Sequence, residues 1–228
     1  IPVRSVDAAY MPEPGIVYVR LSRFALESPL EVTRCIYNLS KEYPKGVILD
    51  LRGNFGGYLQ SAGMVANIFL SAGQLIFYIE GLNSPRRDFN ASGNGLYPSG
   101  PLVVLVDENS ASSSEIVAGA IQDWDRGVII GRRTFGKGLV QRAFNLSDGS
   151  QIHLTIARYH TPSGRVIQAS YEQGKRDEYY RHQYSDRYAS GEIFSRDSIK
   201  VDDSLEFTTL KLQRKIYGGG GIIPDFFV

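Results

Sequence analysis

The stretch Asp107-Glu-Asn-Ser-Ala-Ser112-Ser-Ser-Glu115-Ile joins an apolar run, Leu102–Val106, to a segment with apolar residues Ile116, Val117, Ala120, Ile121 and Trp124. Their spacing is that of one helix face. Ser112 followed three residues later by Glu115 fits a capping box, so a helix start explains the pair without any chemistry. The same junction also suits acyl transfer. It lies at the carboxyl end of a buried strand, where α/β sheets bind ligands. The first-turn N–H groups of a helix have no partner within the helix and can hold an oxyanion. A serine nucleophile at 112 would attack a carbonyl whose oxygen rests on the Ser113 N–H. A second donor can come from Arg52-Gly-Asn-Phe-Gly56-Gly57, since glycine lets backbone approach a substrate closely. Those glycines fit a tight strand-to-helix turn equally well, and Gly56 and Gly57 both stand as candidates.

A serine needs a base. The chain has three histidines, His153, His160 and His182, none in a triad context or at H-E-x-x-H spacing, and there is no G-x-S-x-G elbow. Lys137, in Thr-Phe-Gly-Lys-Gly-Leu-Val-Gln, is flanked by glycines and followed by apolar residues. This context predicts a buried lysine whose ammonium is disfavoured and whose neutral amine serves as base. Gln141, four residues on in an extended segment, falls on the same side and can orient that amine. Gly131-Arg-Arg-Thr-Phe-Gly136-Lys137 matches seven positions of a phosphate-binding loop, but Gly138 stands where Ser or Thr must hold magnesium and a strand pattern follows. Nucleotide binding is therefore not expected. Asp123 is eleven residues along the helix from Ser112, about 16 Å at 1.5 Å per residue, and is read as structural.

The elements that must position these groups are legible as alternation. Ile16–Leu21, Val47–Leu51, Leu75–Ile79, Leu102–Val106 and Val128–Ile130 are near-continuous apolar runs, as in strands buried on both faces. Helical patterns lie between them, at about Pro29 to Glu42, Tyr58 to Leu70 and Ser113 to Trp124. The prediction is an α/β fold with a mainly parallel sheet and flanking helices. Residues 84–100, rich in Pro, Gly, Ser and Asn, read as a loop. Beyond Gly138 the texture turns β-rich. Leu139–Leu146 and Gln151–Thr161 form a hairpin, Gln168–Ser204 is a charged, tyrosine-rich surface excursion with helical periodicity around Asp177–Ala189, and Gly218–Gly221 leads into a last strand, Ile222–Val228. The organisation is thus an α/β core over 1–137 and a β-rich part over 138–228.

A formal charge of +1 provides no global field toward nucleic acid. One cysteine, Cys35, excludes an internal disulfide and a cysteine-based zinc site. No apolar run reaches the ~20 residues that span a bilayer. The chemistry needs no metal or cofactor.

Taken together, DLRGNFGG, LVVLVDENSASSSEIVAGAIQDW, GRRTFGKGLVQ and YHTPSGRVIQ resemble the C-terminal processing (tail-specific) peptidases in order and spacing. The resemblance implies a crotonase/ClpP-like core and a serine endopeptidase with Ser112 as nucleophile, Lys137 as base and Gln141 as its partner. It further implies protein substrates cut near apolar C-terminal tails, a periplasmic or cell-envelope address, and a PDZ domain in the full-length protein, and it leaves a homo-oligomer open. Asn54-Phe-Gly-Gly57 stands where the family often has N-P-G-G, so the oxyanion glycine stays undecided, and Ser110 and Ser114 remain lesser nucleophile candidates. Two rival readings use the same fold. A non-catalytic peptide or apolar-ligand binding module would have no reason to keep both Lys137 and Gln141, and a crotonase-type acyl-CoA enzyme would not need a serine–lysine pair.

Overall fold

β-Branched residues dominate the runs between the first helices, and burial on both faces holds them as strands. The computed structural model describes residues 4–41, 43–172 and 174–228. β1 (Val6–Glu13), β2 (Ile16–Leu21), β3 (Gly46–Asp50), β6 (Leu102–Val106), β7 (Val128–Gly131) and β12 (Phe226–Phe227) form a six-stranded sheet in that spatial order. Only β1 and β2 pair antiparallel; the other neighbours run parallel. Helices α1 (Ser28–Ser40), α2 (Leu59–Asn67) and α3 (Ser113–Asp123) supply the crossovers, and α2 packs on α3. The inward residues Val17, Val19, Leu49, Val104, Val106, Ile116 and Ile121 are fully buried, which makes this layer the core. The expected end of α1 at Glu42 lies outside the described residues. Among the described residues no helix is long and apolar enough to cross a membrane.

A second, four-stranded sheet has the order β5 (Ser84–Asn90), β4 (Leu75–Gly81), β9 (Gln151–His160), β8 (Leu139–Asn145) and is antiparallel throughout. The fold is therefore mixed α/β, and two expectations need correction. Leu75–Ile79 is a strand, but it pairs with β9 and β5 instead of joining the parallel sheet. Residues 84–90, read as loop, form edge strand β5. Its proline and charges are the marks of an edge strand, and Phe89 stacks on cross-strand Phe77 with ring centroids 4.3 Å apart. The predicted hairpin is β8–β9. In the last stretch only Phe226 and Phe227 pair, because Asp225 anchors the chain through its side chain, accepting from the Ile129 N–H at 2.8 Å. A short ribbon, β10 (Glu206–Thr208) with β11 (Lys215–Tyr217), gave no periodic signal in sequence.

The C-terminal part is tied to α3 by a buried ion pair. Arg165 and Asp123 are both fully buried, and the guanidinium donates to Asp123 Oδ1 at 2.8 Å, Gln122 Oε1 at 2.6 Å and the Tyr217 carbonyl at 3.0 Å. Asp123 also accepts from the Ser163 N–H at 2.8 Å. It is structural, as its distance along the helix indicated. Asp123→Ala leaves Arg165 buried without its counter-charge and is expected to cost about 3–5 kcal/mol of stability. Urea denaturation measures this, and a loss below ~1 kcal/mol would remove the pair from any fastening role.

Candidate active site

Adjacent parallel strands place their C-terminal loops side by side, and here β3 and β6 are neighbours in register. The loop after β3 carries Arg52–Gly57, and the loop after β6 carries Asp107–Ser112. They are fastened to each other: Ala111 N–H donates to the Asn54 carbonyl at 3.0 Å, and Gly53 N–H donates to the Asp107 carboxylate at 3.0 Å. Three of the four neighbouring serine hydroxyls take part in this fastening. Ser110 Oγ donates to the Leu51 carbonyl at 2.8 Å, Ser114 Oγ to the Asn54 carbonyl at 2.8 Å and Ser113 Oγ to the Gly57 carbonyl at 3.0 Å. Ser112 is different. It is only half-buried, and its hydroxyl stands at the capping-box position over the Glu115 amide, whose own hydrogen bond runs to the Ser112 carbonyl at 2.9 Å. Its backbone has φ 56° and ψ −111°, a conformation that L-residues hold only when the surroundings enforce it. A sharp, strained strand-to-helix turn projects a side chain out of the sheet's end.

The enforcing group is Glu115. Its carboxylate is fully buried and accepts from the Ser112 N–H at 2.8 Å and the Lys137 N–H at 2.9 Å, both on Oε2. Oε1 accepts from the Thr134 hydroxyl and the Gly136 N–H, each at 2.6 Å. Burial pushes the Glu115 carboxyl up to about 7, while the Thr134 hydroxyl and the three amides pull it back. Tyr159, on β9, adds a second tie. Its buried hydroxyl lies between the carbonyl oxygens of Ser112, at 3.1 Å, and Lys137. The Ser112 and Lys137 backbones are thus clasped by one carboxylate and one phenol. The sequence marked Glu115 only as a helix cap and Tyr159 only as the first residue of YHTPSGRVIQ, with no role for it, since the contacts span 22 to 47 positions.

The two candidate glycines differ in their partners. The Gly56 N–H donates to Asn54 Oδ1 at 2.9 Å. A Cβ on Gly56 would stand 2.9 Å from Ser112 Cβ and 3.0 Å from Ser113 N, so this glycine provides clearance beside the serine. Gly57 is exposed, and its carbonyl accepts from Ser113 Oγ. Among the described residues, the N–H groups of Gly57 and Ser113 have no protein partner. An apolar groove of about 680 Å³ opens beside Leu59 and is lined by Leu30, Met64, Ile68, Phe77 and Leu96.

Lys137 requires a correction. Its side chain is exposed rather than buried, although its neighbours Gly136 and Gly138 are buried. The flanking glycines bury backbone against Gln168 and the segment after β11, and leave the lysine at the open mouth of the site. No hydrogen bond joins it to Ser112. Gln141 is exposed on β8 opposite Thr155, and its amide engages no partner among the described residues. The histidines are occupied elsewhere: His160 stacks on Tyr78 and meets the Gly164 carbonyl at 3.0 Å, His182 pairs with Asp186, and His153 is exposed on β9.

A strained serine at a strand-to-helix turn, beside two unpartnered amides, defines the kind of site on which acyl-transfer hydrolases are built. Residues 15–175 match peptidase family S41, and the chain belongs to that family. It is 40% identical over 156 residues to a carboxyl-terminal-processing protease of Synechocystis sp., covering 68% of this chain and 36% of that protein. It is 36% identical over 167 residues to the carboxy-terminal processing protease CtpA of Bacillus subtilis, covering 73% of this chain and 35% of that protein. The chain therefore spans about a third of the length of the curated relatives it matches. Among solved structures it resembles a photosystem II D1 C-terminal processing protease, with a TM-score of 0.65 and 37% identity, covering 74% of this chain and 46% of that one.

Glu115 also makes a pH prediction. A carboxyl whose folded pKa is raised contributes stability that is complete below its unfolded value, near 4.5, and is lost as pH rises through about 7. The unfolding free energy of the wild type is expected to fall between pH 5 and 8, by an amount on the order of 3 kcal/mol at most. In Glu115→Gln that slope should be absent. Parallel urea titrations at the two pH values measure it, and equal slopes in both proteins would mean that Glu115 does not titrate in this window.

Proposed function

We propose that the chain is the catalytic part of a serine endopeptidase in which Ser112 is the nucleophile, Lys137 the general base and Gln141 an orienting partner of the lysine. The observation that carries this is the shared Glu115 oxygen. Ser112 N and Lys137 N lie 2.8 and 2.9 Å from the same Oε2, so the two side chains spring from backbones one carboxylate oxygen apart. Neutral Lys137 Nζ takes the Ser112 proton as Oγ bonds to the peptide carbonyl carbon. The oxyanion rests on the Ser113 and Gly57 N–H groups. On collapse the C–N bond breaks and the amine leaves with the proton from Lys137. A water, deprotonated by Lys137, then releases the acyl group and restores Ser112. A peptide lying across Ser112 covers the open mouth where Lys137 stands.

The groove beside Leu59 suits apolar side chains, which supports substrates with apolar C-terminal tails. The relatives are about twice as long as this chain, which leaves room for the PDZ domain that the family resemblance implies. A crotonase/ClpP-like kinship of the core and a periplasmic or cell-envelope address belong to the same reading.

Cleavage of a tailed reporter peptide tests these roles. Ser112→Ala is expected to lose at least ~10³-fold in kcat while folding cooperatively; undiminished cleavage would move the nucleophile elsewhere. Lys137→Arg is expected to be as inactive as Lys137→Ala, because a guanidinium stays protonated. Near-normal turnover by Lys137→Arg would mean that position 137 supplies charge and not a base.

A further inference from the structure

The match to family S41 ends at residue 175, and the next residue opens α4 (Arg176–Arg181), a π-helical turn (His182–Asp186) and α5 (Arg187–Ala189). The charged, tyrosine-rich composition predicted a surface excursion. Most of its residues are exposed, and three at four-residue spacing are buried: Tyr179, Gln183 and Arg187 are 9%, 4% and 4% exposed. At 3.6 residues per turn a four-residue repeat drifts around an α-helix. The wider π turn between Tyr179 and Arg187 offsets that drift and keeps the stripe on one side.

That stripe faces the backbone around Lys137. The Tyr179 hydroxyl donates to the Gly136 carbonyl at 3.1 Å, and its ring meets Phe135 edge-on with centroids 5.8 Å apart. Arg187 donates to the Thr134 carbonyl at 2.8 Å and reaches the Gly220 carbonyl at 3.2 Å. Gln168, the first residue of the excursion, accepts from the Gly138 N–H at 2.8 Å and touches the Tyr179 hydroxyl at 3.3 Å. Glu192 completes the grip, pairing with Arg133 at 2.5 Å and Arg187 at 3.5 Å. Phe135 and Tyr179 share a small core with Ala111, the residue before Ser112. Glu115 and Tyr159 hold the lysine loop from the Ser112 side, and this segment holds it from the opposite side.

We propose that residues 176–192 are a clamp that sets the position of Lys137 through its backbone, with Tyr179 and Arg187 as positioning residues; this rests on the reading of Lys137 as the base. Neither residue touches the lysine side chain or the reacting atoms. The clamp acts on the carbonyls of Thr134 and Gly136, whose displacement carries the amine away from Ser112. Small displacements of a catalytic group cost rate rather than substrate binding.

Tyr179→Phe keeps the ring and deletes one hydroxyl, and Arg187→Lys keeps the charge and deletes the fork that spans two carbonyls. Each is assayed on the tailed peptide in the full chain, with Lys137→Ala in parallel and thermal unfolding as the fold check. The expected result for Tyr179→Phe is a kcat reduced about ten- to a hundredfold, with KM within twofold of wild type. A fall in kcat with KM held is the split that a purely stabilising contact would not give. Arg187→Lys is expected to change kcat in the same direction; if it fails to fold, Tyr179→Phe decides alone. Wild-type kcat in a folded Tyr179→Phe, beside an inactive Lys137→Ala, overturns the clamp and leaves the base reading intact. Activity in Lys137→Ala removes the base reading, and the clamp with it.

Discussion

One buried carboxylate governs the geometry of the site. Glu115 accepts from three amides and a hydroxyl, drawn from the turn at Ser112 and the loop from Thr134 to Lys137. An ionised carboxylate out of water is costly unless its acceptor positions are filled, and here four donors converge on its two oxygens. The need to satisfy that charge fixes where the two loops can lie. The strain at Ser112 follows from the same constraint. A β-to-α turn that must present its amide to Glu115 while starting α3 holds φ at 56°, and the cost is borne by a network too well fastened to relax.

Around this centre each layer limits the next. The parallel sheet brings the β3 and β6 loops together, and Asn54 serves both. Its side-chain oxygen takes the Gly56 amide and its carbonyl takes Ala111 N–H and Ser114 Oγ. That arrangement leaves the Gly57 and Ser113 amides free beside a serine whose hydroxyl is not tied to a backbone carbonyl. The antiparallel sheet contributes Tyr159 from below, and the tyrosine-rich helical segment closes over Phe135 from outside. The lysine backbone is thereby held from two elements while its side chain remains exposed.

Much of this was legible in the sequence where the signal is local. The buried strands, α3 and the junction at Ser112 follow from runs and spacings within a dozen residues. Edge strands β1 and β5 were missed because one face is solvated and their composition is that of loops. The choice between Gly56 and Gly57 could not be read from two adjacent glycines; it depends on the Asn54 side chain taking one amide. Lys137 was misread as buried because its glycine and apolar neighbours are buried, and an extended segment can bury backbone while turning one side chain out. Thr134 and Tyr159 fall inside stretches that carry the family resemblance, but their roles, and that of Arg187, have no local mark, since their partners lie in other elements.

Ser112, Ser113 and Gly57 are proposed to form one acyl-transfer site held in place by Glu115. The most direct measurement is a crystal structure of the chain inactivated by a peptidyl phosphonate with an apolar side chain at the phosphonate position. The expected result is phosphorus bonded to Ser112 Oγ and the phosphoryl oxygen about 3 Å from the Ser113 and Gly57 nitrogens, with Glu115 still bridging the Ser112 and Lys137 amides. Phosphorus on Ser110 or Ser114, or a phosphoryl oxygen turned away from both amides into solvent, would contradict it.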